Sequence, residues 1–246
     1  MKKKIITRKE FFKRSLAYKK KLFSDKKIKK QAKELYIRSD KLNWSYQHTW
    51  FDEPLLQTPE DVLKMQEVIF KVKPDLIIEV GVAWGGMILF YDTLSRVLPI
   101  KKIIGVDIFI PENLNRRLKN KVTNKVKLIK SMSTEKKLLQ YFTNLRRKSK
   151  RAIVHLDSDH TEENVFKELI AFDKILKKGD HIIVGDTIIN YIPEQKHRPR
   201  AWGPKNNPKT ALDKFLKINN RFKIHKSFSH NLILSNNYLG HIEKIK

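Results

Sequence analysis

The sequence predicts an α/β fold on a mostly parallel sheet, and three observations carry that prediction. From residue 58 onward, short apolar runs alternate with helical patterns of about ten to fifteen residues, the order expected of strand–helix–strand units. Four of the apolar runs stop on an acid, at Glu79, Asp107, Asp157 and Asp186. The first run also passes directly into a glycine-rich turn, GVAWGG, before the next helix.

The elements follow in order. Thr58-Pro59-Glu60-Asp61 reads as an N-cap, a first-turn proline and helix-favouring acids, opening a helix to about Phe70. DLIIEV at 75–80 is a buried strand, and the helix after GVAWGG runs through about Arg96. KKIIGVD at 101–107 and KVKLIK at 125–130 are the second and third strands. STEKKLLQYFTNLRRK supplies a helix capped by Ser133 or Thr134, and RAIVHLD at 151–157 is the fourth strand. TEENVFKELIAFDKILKKG is a helix ending at Gly179, read as a glycine C-terminal stop. DHIIVGD at 180–186 is the fifth strand. Asn207-Pro208-Lys209-Thr210 opens a helix to about Leu216, and RFKIHK with HNLILSNN closes the chain as an antiparallel pair.

The 246 residues, without internal repeats, fit one domain over 44–246 preceded by a basic helical extension over 1–43. A hydrophobic content of 40% suffices for a core. No apolar stretch approaches the roughly 18 to 20 residues of a spanning helix. The N-terminus lacks the apolar segment and cleavage site of a secretory signal. With no cysteine there are no disulfides, thiolate metal sites or cysteine nucleophiles. The expected location is cytoplasmic, with peripheral contact at the inner face of the membrane allowed.

The formal net charge of +27 is uneven: residues 1–41 hold 17 Lys or Arg against 4 Asp or Glu, about half of the excess. Phe12, Leu16 and Phe23 fall at helical spacing among these lysines, a pattern suited to an anionic membrane surface. Charge alone equally allows nucleic acid, though no RNA-binding aromatic signature, zinc finger or helix-turn-helix pattern accompanies it. The plain alternative is a solvated helix packing a few apolar residues on the body.

In an open parallel sheet, ligands sit at the carboxyl ends of the strands. There Gly81, Ala83, Gly85 and Gly86 form a turn opening a helix N-terminus, and Asp107 lies 28 residues past Glu79, placed to accept hydrogen bonds from ribose hydroxyls. This is a nucleoside-cofactor pattern, although GVAWGG lacks the third spacing of the dinucleotide fingerprint. HLDSDH adds Asp157, Asp159 and His160 at the fourth strand end; His160 is a candidate general base or a simple helix-start residue, and His155 reads as a core histidine. The segment INYIPEQKHRPRAWGPKNNPK is long enough to be a lid. Trp202 is available there to stack on a sugar or plug the domain, Asn206 to bind hydroxyls, and Asn207 to cap the next helix. Tyr46, Gln47 and Trp50 are candidates for the opposite acceptor wall, or for packing the N-terminal segment on the sheet.

The stretches EVGVAWGG, GVDI, LDSDH and VGDTIIN resemble class I S-adenosylmethionine-dependent methyltransferases. More narrowly, SYQHTWFDEPLLQTPED, LIIEVGVAWGGMILFY, HLDSDHTEENVFKEL and RAWGPKNNPKTALDKFL resemble the cephalosporin hydroxylase (CmcI-like) family, which includes rhamnosyl O-methyltransferases, over about residues 44–240. The resemblance implies a Rossmann-like methyltransferase fold, S-adenosylmethionine as cofactor and often Mg2+. It places Glu79, Gly81, Ala83, Gly85, Asp107 and Asp157 at the cofactor, and Asp157, Asp186 and, as an alternative, Asp159 at the metal. Gly185 departs from the pattern, which has a carboxylate there, as in VEDT against VGDT. Losing one of three anionic ligands lowers affinity for a hard cation; Asp159 or Asn190 compensates, or the site works without metal.

The implied activity is O-methyl transfer to a hydroxyl of a saccharide, from a surface polysaccharide or lipid-linked glycan, or of another small molecule, with Asp157 and His160 as catalytic groups. Two other readings stay open: an RNA methyltransferase, favoured by charge, and a catalytically degenerate binding protein on the same fold. Homo-oligomer formation is also left open by the sequence.

Overall fold

The computed structural model describes residues 6–229 and 232–246. Two basic helices lead, α1 (Arg8–Ser24) and α2 (Lys26–Asp40), followed by a small hairpin of β1 (His48–Trp50) and β2 (Glu53–Leu55). Then come α3 (Pro59–Val72), β3 (Leu76–Val80), α4 (Gly86–Ser95), β4 (Lys102–Asp107), α5 (Leu114–Leu118) and β5 (Val126–Lys130). The second half adds α6 (Lys136–Arg147), β6 (Ala152–Leu156), α7 (Glu162–Ile175), β7 (His181–Val184), α8 (Pro208–Ile218), β8 (Phe222–Ile224), α9 (Lys226–Ser229) and β9 (His241–Lys244).

Seven strands form one sheet in the order β5-β4-β3-β6-β7-β9-β8. β5, β4, β3, β6 and β7 are mutually parallel, and β9 runs antiparallel to both β7 and β8. This is the predicted Rossmann-like α/β fold with an antiparallel strand near the C-terminus. The strand order reverses between β3 and β6, so the crevice of an open α/β sheet lies over their carboxyl ends.

β3 and β6 are central and buried along their whole length, as continuous apolar runs require. One face carries Phe142 of α6, Leu169 and Phe172 of α7 and Phe215 of α8; the other carries Val68 and Ile69 of α3 and Ile88 and Phe90 of α4. The helix starts follow capping chemistry: Thr58, Thr161 and Asn207 each accept from backbone amides of the following turn.

Three local expectations are corrected. α6 takes Glu135 as N-cap without a side-chain cap bond, because Ser133 Oγ donates instead to Glu168 Oε1 at 2.7 Å. α7 ends at Ile175, with Leu176 extended, so Gly179 (φ +85°) shapes the turn into β7 rather than stopping the helix. HNLILSNN is not the partner of β8; that strand is β9. His230 and Asn231 lie outside the described residues, and from Ile233 the segment is held by acids at the start of α3. Ile233 N and Leu234 N donate to Glu60 Oε2 at 2.7 and 2.6 Å, and Asn236 N to Asp61 Oδ2 at 2.6 Å. Carboxylates thus replace a strand ladder for these amides.

At the amino edge of the sheet, Arg146 pairs with buried Asp180 through Nε–Oδ2 at 2.5 Å and Nη2–Oδ1 at 2.9 Å, while Ala152 N and Lys177 N also donate to that carboxylate. Removing one partner leaves the other charge buried and unmatched. Arg146→Ala is expected to lower the unfolding free energy by about 3–5 kcal/mol, read as a reduced urea midpoint.

Candidate active site

The carboxyl edge of the sheet opens into a cavity of about 630 Å³, within the size range of small-molecule sites. Its first wall is the turn between β3 and α4. Gly81 (φ +98°) and Gly85 (φ +87°) occupy the left-handed region that favours glycine, and Ala83 (φ +45°) also has positive φ. The absent side chains answer to the protein itself. A Cβ on Gly81 would lie 2.1 Å from the Asp157 carbonyl oxygen, and one on Gly86 would lie 2.3 Å from the Pro54 carbonyl oxygen. These glycines let backbone meet backbone, so the N-terminus of α4 is delivered to the cavity floor.

Asp107, at the end of β4, fixes that turn. Its Oδ2 accepts from Val82 N at 2.8 Å and Ala83 N at 3.3 Å, and its Oδ1 accepts from Phe109 N at 3.1 Å. A carboxylate offers about four acceptor positions, so one remains for a hydroxyl in the cavity. Glu79 lies beneath, 2% exposed, with Oε1 3.6 Å from His155 Nδ1 and Oε2 without a hydrogen-bond partner among the described residues. Burial, reinforced by Asp107, pushes its carboxyl well above the usual range. His155 is the expected core histidine, with the Tyr91 hydroxyl 3.1 Å from Nδ1.

The second wall gathers Asp157, His160 and Asp186. His160 Nε2 is 3.5 Å from Asp157 Oδ1 and 3.6 Å from Asp186 Oδ2, and the three ligand atoms lie within 4.8 Å of one another. Neither His160 ring nitrogen has a hydrogen-bond partner among the described residues. Burial lowers the His160 pKa, with Asp186 and Asp159 opposing. Burial pushes Asp157 up, His155 opposes, and Asp186 and Glu79 push it further. Gly185 explains the convergence: a Cβ there would stand 2.4 Å from Asp157 Oδ1. The Asp157 carboxylate occupies the space where a side chain at 185 would begin.

Not every expected residue is brought here. Asp159 lines the cavity, but its Oδ1 accepts from Thr161 N at 2.9 Å, and it stands outside the three-residue cluster. Asn206 does not line the cavity; its amide donates to Ala201 O and its oxygen accepts from Glu162 N, securing the loop to α7. Trp50 packs edge-on against Phe90 and donates Nε1–H to Thr93 Oγ1, serving the hairpin rather than an acceptor wall. Gln47 Nε2 donates to Leu42 O, and Asn190 Oδ1 accepts from Asn207, so neither supplements the cluster. Asn207 caps α8 as expected. Tyr46 and Trp202 do line the cavity; Trp202 sets its ring edge-on to His160, with centroids 5.0 Å apart.

Sequence reasoning missed Gln57, which is buried and donates Nε2–H to Asp157 Oδ2 at 2.7 Å. Its signal lay in LLQTPED, a quoted stretch of the resemblance. It also missed the clamp on the lid: Asp40 of α2 accepts from Gln195 Nε2 at 2.6 Å and Arg198 Nη2 at 2.8 Å, and Arg198 stacks over Tyr46. No local pattern marks a contact between residues 158 positions apart.

The Rhamnosyl O-methyltransferase/CmcI family model matches residues 42–245. The chain belongs to this family. It is 27% identical over 147 residues to the Rhamnosyl O-methyltransferase of Mycobacterium leprae, covering 59% of this chain and 62% of that protein. To the Mycobacterium bovis protein of the same name it is 27% identical over 180 residues, covering 66% and 71%. A CmcI structure described with Mg and SAM superposes with a TM-score of 0.57 at 17% identity, covering 82% of this chain and 78% of that one. A CmcI apo-structure gives 0.56 at 19% identity, covering 82% and 77%. These likenesses show the class I methyltransferase fold.

Glu168 closes the cavity floor, accepting from Ser133 Oγ at 2.7 Å and Ser158 Oγ at 3.1 Å, and burial pushes its pKa up to about 7. A folded pKa above the ordinary value of 4.5 means that the native state retains the proton longer, so stability falls as pH rises through this window. Glu168→Gln removes that loss. The variant is expected to gain stability relative to wild type between pH 5 and pH 8, read as the difference in melting temperature at each pH.

Proposed function

We propose that this chain transfers a methyl group from S-adenosylmethionine to a hydroxyl of a saccharide, with a deoxy sugar such as a rhamnosyl unit as the leading acceptor. The observation that carries the reading is the meeting of an unpartnered His160 with Asp157 and Asp186 across from the Gly81–Gly86 turn. The names of the curated relatives supply the acceptor class.

S-adenosylmethionine supplies a sulfonium methyl that an acceptor oxygen attacks in line. The chain's own groups prepare that attack. Asp107 offers its remaining acceptor position to ribose hydroxyls, and the amides at the start of α4 face the cavity. Trp202 and Tyr46 flank the opening, where an aromatic face can stack on a sugar ring. His160 Nε2 takes the hydroxyl proton as the new C–O bond forms and the methyl–sulfur bond breaks, the neutral thioether S-adenosylhomocysteine leaving with that electron pair, and Asp157 and Asp186 stabilise the imidazolium that results.

The same residues fit a divalent cation. Two carboxylate oxygens and an imidazole nitrogen converge within 4.8 Å, and a hard cation keeps water in the remaining positions. Asp157 and Asp186 would hold Mg2+, which when bound would orient a vicinal diol and lower its pKa. Gly185 leaves this set one carboxylate short of the family pattern, consistent with weak, exchangeable binding.

A second reading concerns the extension over 1–43. α1 has no buried residue and exposes Phe11, Phe12, Leu16 and Tyr18 among its lysines. This supports peripheral contact with an anionic membrane, near lipid-linked acceptors. No helix among the described residues is long and apolar enough to cross a membrane. Cosedimentation with phosphatidylglycerol vesicles, lost on replacing Lys19, Lys20 and Lys21 by Glu, is the expected result; RNA binding far tighter than vesicle binding would reverse it.

Calorimetry with S-adenosylmethionine tests the enzyme reading: saturable binding is expected, weakened at least tenfold, about 1.4 kcal/mol, by Asp107→Ala. No binding at high micromolar cofactor would sink it. With a rhamnosylated acceptor, His160→Gln is expected to lower kcat by about 10²–10⁴, with KM little changed. Chelator is expected to reduce turnover and Mg2+ to restore it; indifference to chelator assigns the step to His160 alone. Burial lowers the His160 pKa and pushes that of Asp157 up to about 7, so wild-type activity is expected to rise with pH through about 7 as the Asp157 carboxyl ionises, read from the pH profile of kcat/KM.

A further inference from the structure

A second cluster of ligating side chains stands at the opposite end of the same sheet. His181 opens β7 five residues before Asp186, about 16 Å away by strand rise. Across the β7–β9 ladder its direct partner is Glu243, and the chain leaving β8 brings His225 alongside, with His225 N bonded to His241 O at 2.8 Å. One ring nitrogen from each histidine and one Glu243 oxygen lie within 4.8 Å of one another.

His181 is only 6% exposed, and neither of its ring nitrogens has a hydrogen-bond partner among the described residues. The Gly179 backbone approaches the ring without reaching hydrogen-bond geometry. Leaving a buried polar group unmatched is unfavourable, and a bound ligand would recover that cost. His225 is held in place around the same point. Its ring stacks on Phe228 with centroids 3.8 Å apart, and its Nδ1 lies 3.2 Å from Ser227 Oγ. A polar contact at one ring nitrogen, leaving the other to coordinate, is the usual support of a metal-bound histidine. Glu243 Oε2 meets Lys223 Nζ at 3.7 Å, too long for a hydrogen bond, so the carboxylate keeps its lone pairs.

We propose that His181, His225 and Glu243 bind a borderline first-row divalent cation, Zn2+ foremost, and so tie together β7, β9 and the exit of β8. Two imidazole nitrogens with one carboxylate oxygen suit Zn2+, whereas Mg2+ favours an all-oxygen shell. Water completes the tetrahedron. Lys223 and Lys71, the latter 5.3 Å above the Phe228 ring, oppose added positive charge, so micromolar rather than tighter binding is expected. This site is separate from the carboxyl-edge cleft and independent of the proposed methyl transfer.

The test uses untagged full-length protein stripped with chelator. Zn2+ titration by calorimetry, repeated with Co2+ to read visible absorption, is run on wild type, His225→Ala, Glu243→Gln and Asp186→Asn. The expected result is Zn2+ binding at this site that raises the melting temperature, with tetrahedral Co2+ bands. Binding is weakened at least tenfold in both His225→Ala and Glu243→Gln and retained in Asp186→Asn. Because the two edge variants alter different segments, the exit of β8 and β9, misfolding of one leaves the other to decide. Failure of wild type to bind Zn2+ at micromolar concentrations, or binding that survives in the edge variants and disappears in Asp186→Asn, overturns the proposal.

Discussion

The cleft depends on two side chains that are not there. At Gly81 the missing Cβ lets the end of β3 pass against the Asp157 carbonyl, where any other residue would stand 2.1 Å from that oxygen. This contact sets the separation of β3 and β6 where the strand order reverses, and with it the width of the crevice. At Gly185 the missing side chain gives the Asp157 carboxylate a place to lie, and from there it reaches His160 and the end of β7. Packing density explains the consequence: a close-packed interior transmits the loss or gain of one atom to its neighbours.

Electrostatics at the cleft follow from the same crowding. Asp157, Asp186, Glu79 and Asp107 approach one another in a partly dehydrated space; burial pushes the Glu79 carboxyl well up and the His160 imidazole down, and the imidazole lies between the Asp157 and Asp186 side chains. Such pairs of groups, with protonation pushed apart by environment, are what acid–base chemistry at neutral pH requires. Gln57 steadies the arrangement from below by donating to Asp157, and it is itself contacted by Asn237.

The two helices of the basic extension differ in role. α1 buries no residue, while α2 buries Ala32, Tyr36 and Asp40. Tyr36 donates to Asn236 at 2.8 Å, and Asp40 fixes Gln195 and Arg198 of the loop that also carries Trp202. Through α2 the extension shapes the cavity mouth, and the high charge of the segment concealed an acid with a positional task.

By itself the sequence determined the α/β class, the five parallel strands to within about two residues, the position of β8, and the acids at the strand ends; it placed the strand that pairs with β8 too early, at HNLILSNN rather than at β9 (His241–Lys244). These depend on local periodicity, on capping residues such as Thr58 and Asn207, and on the rule that ligands gather where parallel strands end. The motif resemblance placed Asp157 and Asp186 together, and His160 beside Asp159. Tertiary structure decided the rest. Asp159, adjacent to His160, turns into its own helix start, whereas Asp186, 26 positions on, comes to His160. Trp50 and Asn206 were plausible contacts by residue type and proved to be packing and loop anchors, since their partners, Thr93 and Glu162, are distant in sequence. The close approach at Gly81, the room left at Gly185 and the pairing of His181 with Glu243 are likewise distances between segments. A linear pattern carries no information on them until the strands are set in register.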